Sequence, residues 1–370
     1  MQTWKNKLIY IISVRVKKMF KLKLIPWLKR MGYDFLFKNR HLKQPTTFKS
    51  QLMEEECIRR DLHVERINHE IINVKIADKH ILFKNMNGPT SSTAIKDICD
   101  YKDLSREFIS RANLQVPKSK TVRVSDDQAL IEFCNTAGYP VVLKPINMAR
   151  GSGVITNIKN ESELLKAQRQ LINIINSKYK DILIETQFDG NDYRAVVVDN
   201  KIVSVYKRKR ANVTGDGFST IEKLINKKNT IRKQNIYLKD KLIPLDINKL
   251  DKLKEQGYSL NTIPVKNELV ILRSQSNISG GGDNIDATDK CHPKFIEIIL
   301  KTAKSVPGIS YCGIDIITKD ISKQPTTNNY IVTEIEFSPG PGAMFPINGA
   351  SINMAGAILD FYEKLYKNNS

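Results

Sequence analysis

The 370-residue chain has no long apolar run, no paired cysteine motif and a deficit of acid. Each shortage excludes something. The five cysteines, Cys57, Cys99, Cys134, Cys291 and Cys312, are an odd set with no Cys-x-x-Cys pair and no His/Cys ligand spacing. That disfavours a structural zinc and a disulfide framework, and fits a reducing, cytoplasmic compartment. No apolar stretch approaches the roughly 20 residues that a helix needs to cross a bilayer, and no secretory signal pattern is present. Asp and Glu number 39 against 59 Lys and Arg, a net charge of +20. The 41% hydrophobic content argues against wholesale disorder. The length supports two or three cores.

The basic excess is uneven. Residues 1–44 hold twelve Lys or Arg and a single acid, Asp34, which gives +11 and leaves +9 for the rest. Leu8, Ile9, Ile11, Ile12, Val14, Val16, Met19 and Phe20 give this segment an apolar side. Two readings stay open. One is a basic amphipathic helix packed on the body of the protein. The other is a helix making weak contact with an anionic membrane surface, peripheral to its inner face. Charge of this kind points to no specific nucleic acid.

After Pro45 the pattern changes, and residues 45–93 read as a small α/β unit. Phe48, Leu52, Cys57 and Ile58 recur at helical spacing, and 63–67, 71–76 and 81–83 read as short strands. Thr90-Ser-Ser-Thr93 caps a helix, and 102–112 is a second one. Tyr139 to Leu143 and Ile182 to Ile184 read as strands, and Glu161 to Ile175 as a helix. The strands 193–198 and 201–206 pair across an Asp199–Asn200 turn. The polar, Lys-rich stretch 226–262 reads as a helical insertion. A helix at 295–304 precedes strands at 313–317 and 331–337. Helices and strands alternate throughout, as in an α/β or α+β protein.

Four motifs carry chemistry. In Lys144-Pro-Ile-Asn-Met-Ala-Arg-Gly-Ser-Gly-Val154 a strand delivers a lysine into a glycine-bearing loop, where backbone N–H groups can converge on an anion. The loop does not match the P-loop spacing. In Gly313-Ile-Asp-Ile-Ile317 and Ile331-Val-Thr-Glu-Ile-Glu-Phe337, Asp315 sits in an apolar strand and Glu334 and Glu336 share a face of theirs. Three such carboxylates repel unless a cation lies between them, and oxygen ligands select a hard ion such as Mg²⁺. Lys207-Arg-Lys-Arg210 is a basic run, for which a solvated face is the plain alternative. Arg273 closes an apolar stretch and calls for an anionic partner.

These residues resemble the ATP-grasp superfamily, most of all the ATP-grasp module of cyanophycin synthetase and of bifunctional glutathione synthetases. The likeness runs in order through Asp100-Tyr-Lys102, Val142-Leu-Lys-Pro145, Arg150-Gly-Ser-Gly-Val154, Glu185-Thr-Gln-Phe-Asp-Gly-Asn-Asp-Tyr-Arg194, Thr214-Gly-Asp-Gly-Phe-Ser-Thr-Ile221, Leu272-Arg-Ser-Gln-Ser-Asn-Ile-Ser-Gly-Gly281, Ile285-Asp-Ala-Thr-Asp289, His292-Pro293, Gly313-Ile-Asp315 and Glu334 to Gly340. It covers about residues 94–365.

The resemblance implies a bilobed ATP-grasp fold over 94–370, with ATP between two α+β lobes. Lys102, Lys144 and Lys207 would contact the nucleotide, and Arg150, Gly151, Ser152, Gly153 and Val154 would cover the triphosphate. Glu185 would mark the adenine hinge and Asp192 the ribose. Asp315, Glu334 and Glu336 would hold Mg²⁺, or Mn²⁺ in its place. Arg273, Asn277 and Ser152 would act at the transferred phosphoryl group. The family usually has Asn where Glu336 stands, and some relatives have an arginine near Cys312. The expected activity is ATP-dependent ligation of a carboxylate to an amine through an acyl-phosphate, on an amino acid or short peptide, by a homo-oligomer. Neither relative's second catalytic module is expected here. A phosphotransferase, and a non-catalytic nucleotide-binding protein that engages an anionic partner, are the alternatives.

Overall fold

A computed structural model describes residues 46–146, 153–175, 181–347 and 351–367. The basic segment 1–44 and the loop residues Arg150, Gly151 and Ser152 lie outside the described residues. The chain divides into two compact units, one of residues 1–89 with 362–370 and one of residues 90–361.

In the first unit, helix α1 (Phe48–Arg59) lies against an antiparallel sheet of β1 (Val64–Arg66), β2 (Ile71–Ile76) and β3 (Lys79–Lys84). Alternation decides which side is buried. Ile72, Val74 and Ile76 turn inward from β2, Ile81 and Phe83 do so from β3, and Met53 and Cys57 are buried on α1. Side chains of this size stabilise by about 1.5–3 kcal/mol each when fully buried. The chain terminus adds an edge-on contact of Tyr362 with Phe83 at 4.9 Å and an ion pair of Glu363 with Arg60 at 3.1 Å.

The described residues of the second unit form three cores. The largest lies under a five-stranded antiparallel sheet in the order β12 (Asp283–Asp286), β9 (Lys201–Lys209), β8 (Asn191–Val198), β13 (Tyr311–Thr318) and β14 (Tyr330–Glu336). Helices α2 (Thr93–Asp100), α3 (Lys102–Arg111) and α8 (Pro293–Ser305) supply Ile95, Ile109, Phe295 and Ile299 to its core. Ser92 starts α2 by accepting the Ile95 N–H at 3.2 Å, so the expected cap is present.

The second core lies under a sheet in the order β4 (Ser119–Arg123), β7 (Asp181–Thr186), β5 (Val141–Pro145) and β6 (Ile155–Ile158). Leu130 of α4 (Asp127–Ala137) and Leu164 and Leu171 of α5 (Glu161–Ile174) join Leu143, Ile182 and Ile184 there. The third is small. The β10 (Asn212–Thr214) and β11 (Leu269–Ile271) ribbon packs with α6 (Ile221–Gln234) and α7 (Asp251–Glu255) through Val213, Ile225, Leu253 and Val270. The Lys-rich stretch read as a helical insertion is helical only in part. Beyond Gln234 it runs as turns and loop to a 3₁₀ turn at Ile247–Lys249 and the short α7, with Leu238, Ile243 and Leu250 buried.

Candidate active site

Strand alternation separates the two faces of the five-stranded sheet. Tyr193, Ala195 and Val197 of β8, Val205 of β9 and Cys312, Ile314 and Ile316 of β13 point into the helix-covered core. Their neighbours must then point the other way. Register places Glu334 opposite Asp315, Asp315 opposite Arg194, Arg194 opposite Tyr206 and Tyr206 opposite Asp286. One polar row thus crosses all five strands. The row beside it holds Asp192, Arg208 and Asn284.

Asp315 is 2% exposed, and a bare carboxylate at that depth is costly. Arg194 removes the cost by donating from Nε to Oδ1 at 2.6 Å and from Nη2 to Oδ2 at 2.7 Å. Arg208 adds a third bond to Oδ2 at 2.9 Å. Burial pushes the Asp315 carboxyl up, but the two guanidinium groups outweigh it and hold the group well below the usual carboxylate range. Arg194 also pairs with Glu336 through Nη1. Burial and the neighbouring carboxylates Asp315 and Glu334 raise Glu336 above its ordinary value in spite of Arg194. Glu334 stands within hydrogen-bonding reach of Asp315.

Much of the cation expected between these carboxylates is therefore arginine. Among the described residues no three His, Cys, Asp or Glu side chains converge in a way that would hold a metal ion. Asp315 and Glu334 stand opposite each other in register on this face. This pair fits a hard divalent ion that takes its remaining ligands from water and phosphate.

A second charged group stands on the four-stranded sheet. Lys144 of β5 donates to Glu185 of β7 at 2.9 Å, and Arg106 of α3 pairs with the other oxygen of Glu185. All three are buried. Burial lowers the lysine's pKa more than Glu185 restores it, while Lys144 and Arg106 overcome the burial of Glu185 and hold that carboxyl low. Arg106 also donates from Nε to the Thr333 carbonyl on β14 at 3.2 Å, and Lys144 feels the charge of Glu334. The two groups therefore adjoin.

The glycine-rich segment 273–282 completes the arrangement. Ser276 donates to Asp192 at 2.6 Å, which ties the segment to the polar face. Asn277 accepts the Gly280 N–H at 3.0 Å and so caps a short 3₁₀ turn. Arg273 donates to the Gly280 carbonyl at 3.3 Å, has no carboxylate partner among the described residues, and buries its Nε without an acceptor. A guanidinium in that state is suited to receive an anion.

The profile of the RimK-like ATP-grasp domain matches residues 99–291. The chain belongs to this ATP-grasp family. It is 36% identical over 266 residues to a cyanophycin synthetase of Synechocystis sp., covering 71% of this chain and 30% of that protein. It is 32% identical over 268 residues to the glutathione biosynthesis bifunctional protein of Clostridium perfringens, covering 71% and 34%. The crystal structure of a bifunctional glutathione synthetase from Pasteurella multocida superposes with a TM-score of 0.66 at 26% identity, over 92% of this chain and 47% of that one. The chain spans about a third of the length of the curated relatives named here.

Within this ATP-grasp chain, Asp315, Glu334, Glu336, Asp192, Lys144, Glu185, Arg273 and Asn277 fall around one polar region. Lys102 opens α3, where its backbone N–H reaches the Ile146 carbonyl at 3.4 Å. Gly153 has φ +69°, and a Cβ there would come within 2.9 Å of Pro145, so glycine is required twice over. Val154 follows it, half-buried. Lys207 is a correction. It is opposite Tyr193 in register and therefore on the helix-covered side of the sheet, not with Asp315. The residue of that basic run on the polar face is Arg208. Arg194, Arg208 and Arg106 carry no role in the sequence reading. Arg194 was within its reach, because Tyr193-Arg-Ala195 alternates like a half-buried strand.

Proposed function

We propose that the chain is an ATP-dependent carboxylate–amine ligase that forms an amide through an acyl-phosphate, acting on an amino acid or short peptide. The observation that carries this reading is the meeting, on one sheet face, of two carboxylates opposite in register, Asp315 and Glu334, with the buried Arg194 and the half-buried Arg208. Mg²⁺, or Mn²⁺ in its place, held by Asp315 and Glu334 would supply charge neutralisation at the phosphate oxygens. Arg194, Arg208 and Arg273 would offset the negative charge that spreads over a phosphoryl group in transfer. Lys144 and Lys102 would bind nucleotide phosphates, with Arg106 and Glu185 fixing the position of Lys144. Gly153 and Val154 belong to a loop that would exclude water, which an acyl-phosphate requires. The basic segment 1–44 would give the cytoplasmic enzyme a weak, salt-sensitive contact with anionic membranes, and co-sedimentation with anionic but not neutral vesicles tests it.

The test of the ligase is an ATP-turnover screen over pairs of amino acids and short peptides, with mass spectrometry of the products. The expected result is ADP, phosphate and a condensed product, all lost in Asp315→Asn. Release of AMP and pyrophosphate, or a stable phosphorylated product, would overturn the reading.

A further inference from the structure

Residues two apart on a strand share a face, and β14 breaks that rule once. Tyr330 and Val332 turn toward the helix-covered core, and Ile335 and Phe337 do so again three residues further on in place of two. Regular alternation from Val332 would send Glu334 and Glu336 into that apolar core, where an unpaired carboxylate is costly. Register shows what prevents it. Glu334 stands opposite Asp315, but Val332 stands opposite Ile316, so Thr333 has no counterpart on β13. Thr333 is the extra residue of a β-bulge, and one extra residue turns the side chains beyond it to the other face. β13 itself keeps its period, with Asp315 and Ile316 opposite Arg194 and Tyr193 of β8 without a break. The bulge at Thr333 is therefore what brings Glu334 to the polar face beside Asp315.

Hydrogen bonds fasten the bulge. The Thr333 hydroxyl donates to the Asp315 carbonyl at 3.3 Å, and the neighbouring Val332 N–H donates to the Gln115 carbonyl at 2.8 Å. The Thr333 carbonyl accepts from Nε of Arg106 at 3.2 Å, and Arg106 is 4% exposed. The far end of the same guanidinium pairs with Glu185, which in turn holds Lys144. A guanidinium serves both ends because its donors form a rigid fork, whereas a lysine brings one nitrogen. We infer that Arg106 is a positioning residue for the divalent cation: it fixes the bulge that aims Glu334 at Asp315, and it ties that aim to the Lys144 and Glu185 pair. The inference rests on reading Asp315 and Glu334 as the metal pair.

The test is Mn²⁺ alone titrated into the full chain, with free Mn²⁺ read by electron paramagnetic resonance. Asp315→Asn should lose the binding that the wild type shows. Arg106→Lys keeps a positive charge for Glu185 but gives up the bond to Thr333. It should bind Mn²⁺ on the order of tenfold more weakly, the usual cost of removing an outer partner of a metal ligand. Its affinity for an ATP analogue, measured in EDTA, should fall by much less. Amide hydrogen exchange of the same variant should quicken at 332–335 and stay slow through α3 and the rest of β13. Equal Mn²⁺ affinity in wild type and Arg106→Lys, with binding still lost in Asp315→Asn, would overturn the inference and leave the metal pair standing. Protection lost throughout α3 and β13 would make Arg106 a general support and overturn it as well. Mn²⁺ binding that is absent from the wild type, or indifferent to Asp315→Asn, would sink the metal reading and the inference with it.

Discussion

Replacing Arg194 by methionine would keep most of the side chain's bulk but strip both oxygens of Asp315 of their main cation. Arg208 alone then faces a carboxylate 2% exposed. Breaking one side of a buried pair costs about 3–5 kcal/mol, because the remaining charge stays buried. Urea unfolding of Arg194→Met should show a loss of that size, and adding Asp315→Asn should recover part of it. Losses that simply add would mean the two side chains do not share an interaction. The same depth governs the thiols. All five cysteines are buried, and burial pushes Cys57 and Cys99 up to about 12 and Cys291 up to about 11. With both access and thiolate withheld, the native chain should resist a thiol reagent at mild pH and react after unfolding. The sign also fixes a pH effect. The folded state keeps these protons after the unfolded state has lost them. Stability should therefore fall as pH rises through the ordinary thiol range near 9, and stop falling only above the folded values.

At the level of elements, α6 acts on the site from outside it. Arg232 is fully buried and donates to the carbonyls of Lys241, Gly282 and Ile278 and to Asp283 at 2.7 Å. It thereby braces the segment that carries Arg273 and Asn277. Arg232→Met should raise amide hydrogen exchange across 278–283 while the four-stranded sheet keeps its protection. Uniform loss of protection would make Arg232 a global stabiliser instead. Composition hid this residue, because its surroundings, Ile-Asn-Lys-Lys-Asn-Thr-Ile-Arg-Lys, look like a solvated face. Asp315 and Glu334 were legible for the opposite reason. Each interrupts an apolar strand, and period two then fixes its face. What joins them to Arg194 and Arg208 is register between strands far apart in the chain, and register leaves no local mark. Strands β4, β10 and β12 were illegible too. β12 is Asp-Asn-Ile-Asp, a loop by composition, and becomes a strand through its pairing with Tyr206 to Lys209.

At the level of the whole molecule, two compact units and three cores in the second leave one sheet face polar from edge to edge. A face that keeps buried arginines and carboxylates together gives up hydrophobic stabilisation that the same strands could have had. The use proposed for this face is phosphoryl chemistry on a carboxylate. The most direct test follows oxygen. A carboxylate substrate from the turnover screen is labelled with ¹⁸O and supplied with ATP and its amine. If the carboxylate attacks the γ-phosphate and the amine then displaces phosphate, one labelled oxygen must leave in the inorganic phosphate. Amide product accompanied by unlabelled phosphate would contradict the acyl-phosphate and the account built on it.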